Sequence, residues 1–422
     1  MPYPGNKNII YLYNKQRLKD WIPLIQSLIC LVFAIIFHSR SFTIGYLMST
    51  FFIGWSLRRF AIRKGMVLTL IFIFLLLVFF LASNFKTDSS FGRMLIYKIC
   101  FRILEQNFFS GIGWGNFGVV YARYQAGYFR EGSYTTKELL LADNTKHAFN
   151  DYLEFVTETG LAGLIALLAT ALLIFLFIKK AFKNKPPYAI PLTIATSQLI
   201  AISVAALFTF VFKKFFFQCM LVSALLVIFF YQAPSKKSLY NCLLAAIFFL
   251  TGITWFHTGS YMVNYDHYKR YREAKDLFRA GYLAESLKIY EGQYPDLKED
   301  QLFLSDYANA LVSSGHYTEA IKILEKLISI DSGGMLYEEL ADCYFRTGQW
   351  GKAENAYLTL IYMVPNRFTS RFYLFNFYDQ TKQAAKAITT GRSILSLPVK
   401  VPSTQVSYIK ETVQARLQQL EP

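Results

Sequence analysis

The chain has 422 residues, 54% of them hydrophobic, 18% aromatic and only 17% charged, with a formal net charge of +16. An ordinary soluble domain carries about 25% charged residues, so a chain that is water-soluble throughout is excluded, and the aromatic content excludes disorder. The basic balance would invite a nucleic-acid partner, until the charge is located along the chain.

Residues 1–84 hold nine Lys/Arg against one acid, and residues 159–264 hold eight lysines and no acid. Residues 85–158 balance at eight and eight, and residues 265–422 at nineteen and nineteen. The whole excess therefore lies in two apolar segments, a membrane pattern rather than a nucleic-acid one. A spanning helix needs about 20 mostly apolar residues. Taken in chain order, spans are expected at 22–38, 41–57 and 66–84, then at 159–178, 188–212, 215–231 and 239–256. Two further spans follow the first with no small-residue cleavage site, so the first is not read as a signal peptide.

Basic clusters sit before the first span (Lys15, Arg17, Lys19), after the second (Arg58, Arg59, Arg63, Lys64), after the fourth (Lys179, Lys180, Lys183, Lys185) and before the seventh (Lys236, Lys237). With seven crossings all four fall on one side, which the positive-inside rule makes cytoplasmic. Lys213 and Lys214, in the outer turn between the fifth and sixth spans, are the exception: they are either tolerated there or face an anionic ligand. The five cysteines, Cys30, Cys100, Cys219, Cys242 and Cys343, are scattered without CxxC spacing and imply neither a disulfide framework nor a zinc site.

The segment 85–158 combines balanced charge with the GIGWGNF run at 111–117 and the aromatic residues Tyr121, Tyr124, Tyr128, Phe129 and Tyr134. Short helices and turns resting on the membrane surface are expected there. Beyond residue 265 the chain repeats. GYLAESLKIYE starts at Gly281, GHYTEAIKILE at Gly315 and GQWGKAENAY at Gly348, and a degenerate copy places Lys382 at the glycine position. A helix-turn-helix period of 33 to 34 resembles the tetratricopeptide family and implies an α-solenoid. Such a fold is either a stabilising appendage or a concave surface for a partner protein or acceptor.

Few residues on the outer side could do chemistry. His147 stands in KHAFNDYLEF, and helical spacing would let it share a face with Asn150 and with Asp151 or Glu154. Arg40, in FHSRS between the first two spans, is costly at membrane depth and therefore a functional residue by default, or else snorkels to the interface. Arg93, in SSFGRMLIYK, follows the third span. Two guanidinium groups match a diphosphate with paired hydrogen bonds, and a neutral imidazole can take a proton near pH 7.

The order Ser39–Arg40, Arg93, GIGWGNF and HAFNDYLEFVTETGLAGL resembles the O-antigen ligase and polymerase superfamily over about residues 22–232. The resemblance implies an all-α, polytopic membrane protein of the bacterial inner membrane. Its parts would be three transmembrane helices in 1–84, a periplasmic loop 85–158 carrying the active site, four transmembrane helices in 159–257 and a periplasmic repeat domain in 265–422. It further implies an undecaprenyl-diphosphate-linked glycan as donor, and lipid A-core, a protein or another glycan as acceptor. Arg40 and Arg93 would hold the diphosphate, His147 would be the base, Asn150 would orient the histidine or a sugar hydroxyl, and Tyr121 and Tyr124 would offer faces to sugar rings or line the interface. No cofactor or metal is required by that chemistry, and no nucleic acid enters it. Members of the superfamily have several more spans before the Ser-Arg pair and a proline ahead of the glycine turn, where this chain has Phe108 and Phe109. A shortened homologue, a polymerase using the same donor and a membrane-anchored repeat scaffold with a vestigial site are the alternative readings.

Overall fold

A computed structural model describes residues 87–183, 190–231, 265–331 and 333–421. The three spans expected before residue 85 and the one expected at 239–256, with Arg40, lie outside the described residues. Every regular element among the described residues is an α-helix. The first six are α1 (Thr87–Asn107), α2 (Phe117–Arg130), α3 (Thr136–Leu141), α4 (Asp151–Lys183), α5 (Ile190–Ala206) and α6 (Phe215–Phe230). The repeat region holds α7 (Tyr265–Arg279), α8 (Leu283–Leu297), α9 (Gln301–Ser313), α10 (Tyr317–Ile330), α11 (Gly334–Arg346), α12 (Trp350–Met363), α13 (Phe368–Gln380), α14 (Ala384–Ser396) and α15 (Thr404–Leu420).

The chain divides into two compact units. One contains most of α4, with α5 and α6; the other contains residues 88–147, the short stretch 157–160 and the repeats. In the first unit α4 is the one helix among the described residues long and apolar enough to cross a membrane. It begins earlier than the expected 159–178 and is broken at Gly160. From Leu161 to Lys183 it still rises about 34 Å at 1.5 Å per residue, enough for a hydrocarbon core of about 30 Å. Its apolar residues Leu168, Leu172, Phe175 and Leu176 are exposed. Ala181, Ala195 and Ala224 lie in one core with Leu192, Leu199 and Ile228; small residues at such contacts let helix backbones approach closely.

The expected fifth span, 188–212, is shorter than its apolar run suggests. Helix α5 stops at Ala206, where Leu207 and Phe208 turn back to the carbonyls of Val204 and Ala205, and beyond the turn Val211 and Phe212 give their amides to the Asp151 carboxylate at 2.7 and 3.0 Å. The sixth, α6, fills nearly all of the expected 215–231.

In the second unit each repeat ends its first helix in the same turn. Tyr282, His316, Gln349 and Gln383 donate their amides to the carbonyls of Leu277, Leu311, Tyr344 and Tyr378, five residues back, at 2.8–3.0 Å. This is the bond that closes a helix through a left-handed residue. Gly281, Gly315 and Gly348 occupy the left-handed position, and Lys382 takes it in the fourth copy with φ of 57°. One turn into each second helix a small residue, Ser286, Ala320, Ala353 or Ala387, is wholly buried where the paired helices meet.

The loop helices belong to this unit as well. Helix α2 lies against α12, with Ala122 and Ala126 packed on Met363 and Val364. It is tied to α1 by Lys98 to Tyr128 (2.7 Å), Arg102 to Glu131 (2.7 Å) and Asn107 to Tyr124 (3.0 Å).

Candidate functional site

Two of the motifs singled out in the sequence, GIGWGNF and ETG, interlock by their backbones. Gly160 has φ 66° and ψ −151°, a region open almost only to glycine, and it breaks α4. The break frees the carbonyls of Thr157 and Glu158, and Ile112 and Gly113 donate their amides to them at 3.2 and 2.9 Å. A Cβ on Gly111 would stand 2.3 Å from the Glu158 carbonyl oxygen, and one on Gly160 would stand 2.5 Å from the Gly111 nitrogen. The Glu158 carboxylate, buried, accepts the Phe117 amide at 3.3 Å. That bond satisfies one of the amides that the first turn of α2 leaves without an intrahelical partner.

His147 lies in the irregular segment between α3 and α4 and is half-buried. The shared helical face expected for His147, Asn150 and Glu154 does not form, because α4 begins only at Asp151 and Phe149 is left-handed, with φ of 54°. Asn150 is instead the cap of α4: its Oδ1 accepts the amides of Tyr152 and Leu153, both at 3.1 Å. That is the use for which asparagine is favoured ahead of a helix. Glu154, also buried, reaches back to accept the Ala148 amide at 2.8 Å and pairs with Lys213. The Lys213 ammonium therefore meets a carboxylate of the same unit. Lys214 is exposed, its ammonium 5.3 Å from the centre of the Phe210 ring.

Arg93 is half-buried on α1. Seven residues, two helical turns, separate it from Cys100, so both project from one face of that helix. The Tyr121 hydroxyl bonds to Thr145, two residues before His147.

The two tyrosines are placed differently from one another. Tyr121 is 1% exposed, stacked on Phe117 with ring centroids 5.5 Å apart, and burial pushes its hydroxyl well above the usual tyrosine range. Its faces are taken up by packing, which leaves none for a sugar. Tyr124 is half-buried and donates to Gln106 at 2.7 Å.

Gln125 and Asn366 are not singled out by the sequence, and Glu158 stands there only as part of a motif. Gln125 could have been found as a polar residue on the apolar side of α2, one turn from Tyr121 and beside Ala122 and Ala126. Asn366 carries no local signal, since its partners lie more than 220 residues away.

Over part of its length the chain is similar to two solved structures of MamA. The 41-end form from Desulfovibrio magneticus RS-1 is 17% identical, with 37% of this chain and 93% of that one covered and a TM-score of 0.30. The RS-1 ArsTM double mutant is 18% identical, with 37% and 95% covered and a TM-score of 0.29. No curated protein matches. Residues 25–168 match the family model described as O-antigen ligase. That segment, which contains Arg40, Arg93, Tyr121, Tyr124, His147 and Asn150, is the part of the chain for which the O-antigen ligase family is supported.

Proposed function

We propose that the chain is a membrane-embedded glycosyltransferase that moves a glycan from an undecaprenyl-diphosphate carrier to an acceptor hydroxyl at the outer face of the bacterial inner membrane. The observation that carries this reading is the O-antigen ligase match over residues 25–168, which takes in both arginines and the histidine. In the reaction the acceptor oxygen attacks the anomeric carbon, and the bond from that carbon to the diphosphate oxygen breaks. The electron pair leaves with undecaprenyl diphosphate, and the acceptor proton passes to His147. Arg40 and Arg93 stabilise the charge that develops on the leaving diphosphate, as fixed donors do for other oxyanions.

The placement of His147 outside the helix suits this role. It sits in the irregular stretch ahead of α4, so the imidazole does not follow the helical path. Asn150 contributes as a cap that sets the start of α4, and Tyr124 remains the aromatic residue of the pair that could meet a sugar.

Replacing His147 by Ala tests the reading. A positioned base is worth about 10²–10⁴ in rate, so transfer should fall at least about 100-fold while the protein still inserts in the membrane. Normal surface glycan in that variant would eliminate the proposed base. The product assigns the acceptor: glycan on lipid A-core or protein marks a ligase, and lengthened carrier-linked chains mark a polymerase.

A further inference from the structure

The segment that leads into His147 is anchored at consecutive points, and two of the anchoring residues, Asn366 and Asp331, come from the repeats. Asn366, in the connection between α12 and α13, donates its side-chain amide to the carbonyls of Leu140 and Ala142, at 2.8 and 2.9 Å. Gln125, 1% exposed, donates to the carbonyls of Asp143 at 3.0 Å and Met363 at 2.5 Å, and accepts the Tyr121 hydroxyl at 2.8 Å. Thr145 bonds to the same Tyr121 hydroxyl. Lys146, beside the histidine, pairs with Asp331 of the α10–α11 connection at 3.6 Å. Ordering an irregular segment costs backbone entropy at every residue, which bonds from outside the segment must offset. Here Asp331 and Asn366 supply part of that support directly, and Met363 supplies it indirectly by holding Gln125.

We propose that the repeats are a working part of the transfer site, and that Asn366 is a positioning residue that holds residues 140–147 in the register presenting the His147 imidazole. The inference rests on the reading of His147 as the base. It gives the repeat domain a task that needs no partner protein: it is the frame on which the segment carrying the base is mounted. An amide side chain fits this task because both of its protons are used, each on a carbonyl that has left the helical pattern at the end of α3.

The test uses the full chain in detergent or nanodiscs. Asn366→Asp keeps the shape of the side chain but turns a donor into an acceptor facing two carbonyls. Amide hydrogen exchange in residues 139–147 should accelerate at least about tenfold, with residues 301–330 unchanged, and Asn366→Gln, which keeps the donor, should recover part of the protection. Glycan transfer in membranes of a host that makes the lipid-linked glycan should fall about tenfold in the Asp variant and recover with Gln. Should Asn366→Asp loosen the repeats as a whole, Gln125→Met removes the neighbouring anchor, the one that ties Asp143 to Met363, and carries the same readout. Unchanged exchange in 139–147 overturns the proposal, and so does accelerated exchange with full transfer. Full activity of His147→Ala would instead remove the catalytic reading while leaving the Asn366-dependent protection intact, so the two failures are distinguishable.

Discussion

Left-handed glycines serve two regions of this molecule for different reasons. In the repeats, Gly281, Gly315 and Gly348 have φ of 75–88° with open space around the position of a Cβ, so only the backbone angle asks for glycine. At the kink of α4, Gly111 and Gly160 have similar φ, but a Cβ on either would fall within 2.3–2.7 Å of backbone atoms of the other segment. The first requirement is a torsional preference and can be overridden, as Lys382 shows. The second is a collision between two main chains, and neither chain can move without breaking the bonds from Ile112 and Gly113. A sequence containing glycine at a turn therefore does not say how much depends on it; the surroundings do.

The sharpest way to break this comparison is Gly160→Ala. The left-handed angle together with the backbone collision should cost at least about 3 kcal/mol. The effect should appear as loss of exchange protection in residues 108–117 and loss of transfer, and a stable, active variant with unchanged protection would show that the two segments do not interlock as described.

A second experiment probes what else holds the loop. Burial pushes the Glu138 carboxyl up, but bonds from the Thr135 amide, Lys98, Tyr128 and the Thr135 hydroxyl outweigh it and hold the group at about 2. Because the folded value is depressed, the stabilisation is fully present above the ordinary carboxylate value of 4.5 and is lost as pH falls toward about 2. The parent should exceed Glu138→Gln by about 2 kcal/mol at pH 7, and the gap in melting temperature should close over that acid range. A gap independent of pH would point to packing rather than charge.

The smallest effects belong to the repeats and form a matched pair. Gly348→Ala should cost about 1–2 kcal/mol, with no change in transfer. Lys382→Gly should gain up to about 1 kcal/mol, the torsional relief being partly offset by the extra freedom of glycine in the unfolded chain. Thermal unfolding of the two variants measures both, and a destabilised Lys382→Gly would mean that the lysine side chain contributes more than its backbone costs.

Much of this was legible in the sequence, and some of it was not. The repeat period placed the paired helices, including the copy whose glycine position holds lysine, because each turn is closed by bonds spanning five residues. Apolar run length located α4, α5 and α6 but overstated α5, since the apolar residues after Ala206 turn away and two of them, Val211 and Phe212, bond to Asp151 some 60 residues earlier in the chain. At the candidate site, residue types nominated His147 and Arg93, yet helical periodicity misread residues 147–150. A cap and one left-handed phenylalanine change the path there, and neither leaves a periodic trace. Tyr121 looked like a surface aromatic because a tyrosine that is core and one that is exposed are the same letter.

What the sequence determined by itself is therefore what repeats or segregates: the division of charge into +8, 0, +8 and 0, the apolar runs and the solenoid register. These arise from interactions between near neighbours, or between chain and solvent, and each is encoded where it acts. Only the tertiary structure decided that Gly111 meets Gly160, that Glu158 accepts the first amide of α2, and that Gln125 and Asn366 tie the His147 segment to the repeats across more than 220 residues. A hydrogen bond between distant residues depends on two positions at once, and a single sequence records the two without recording that they meet.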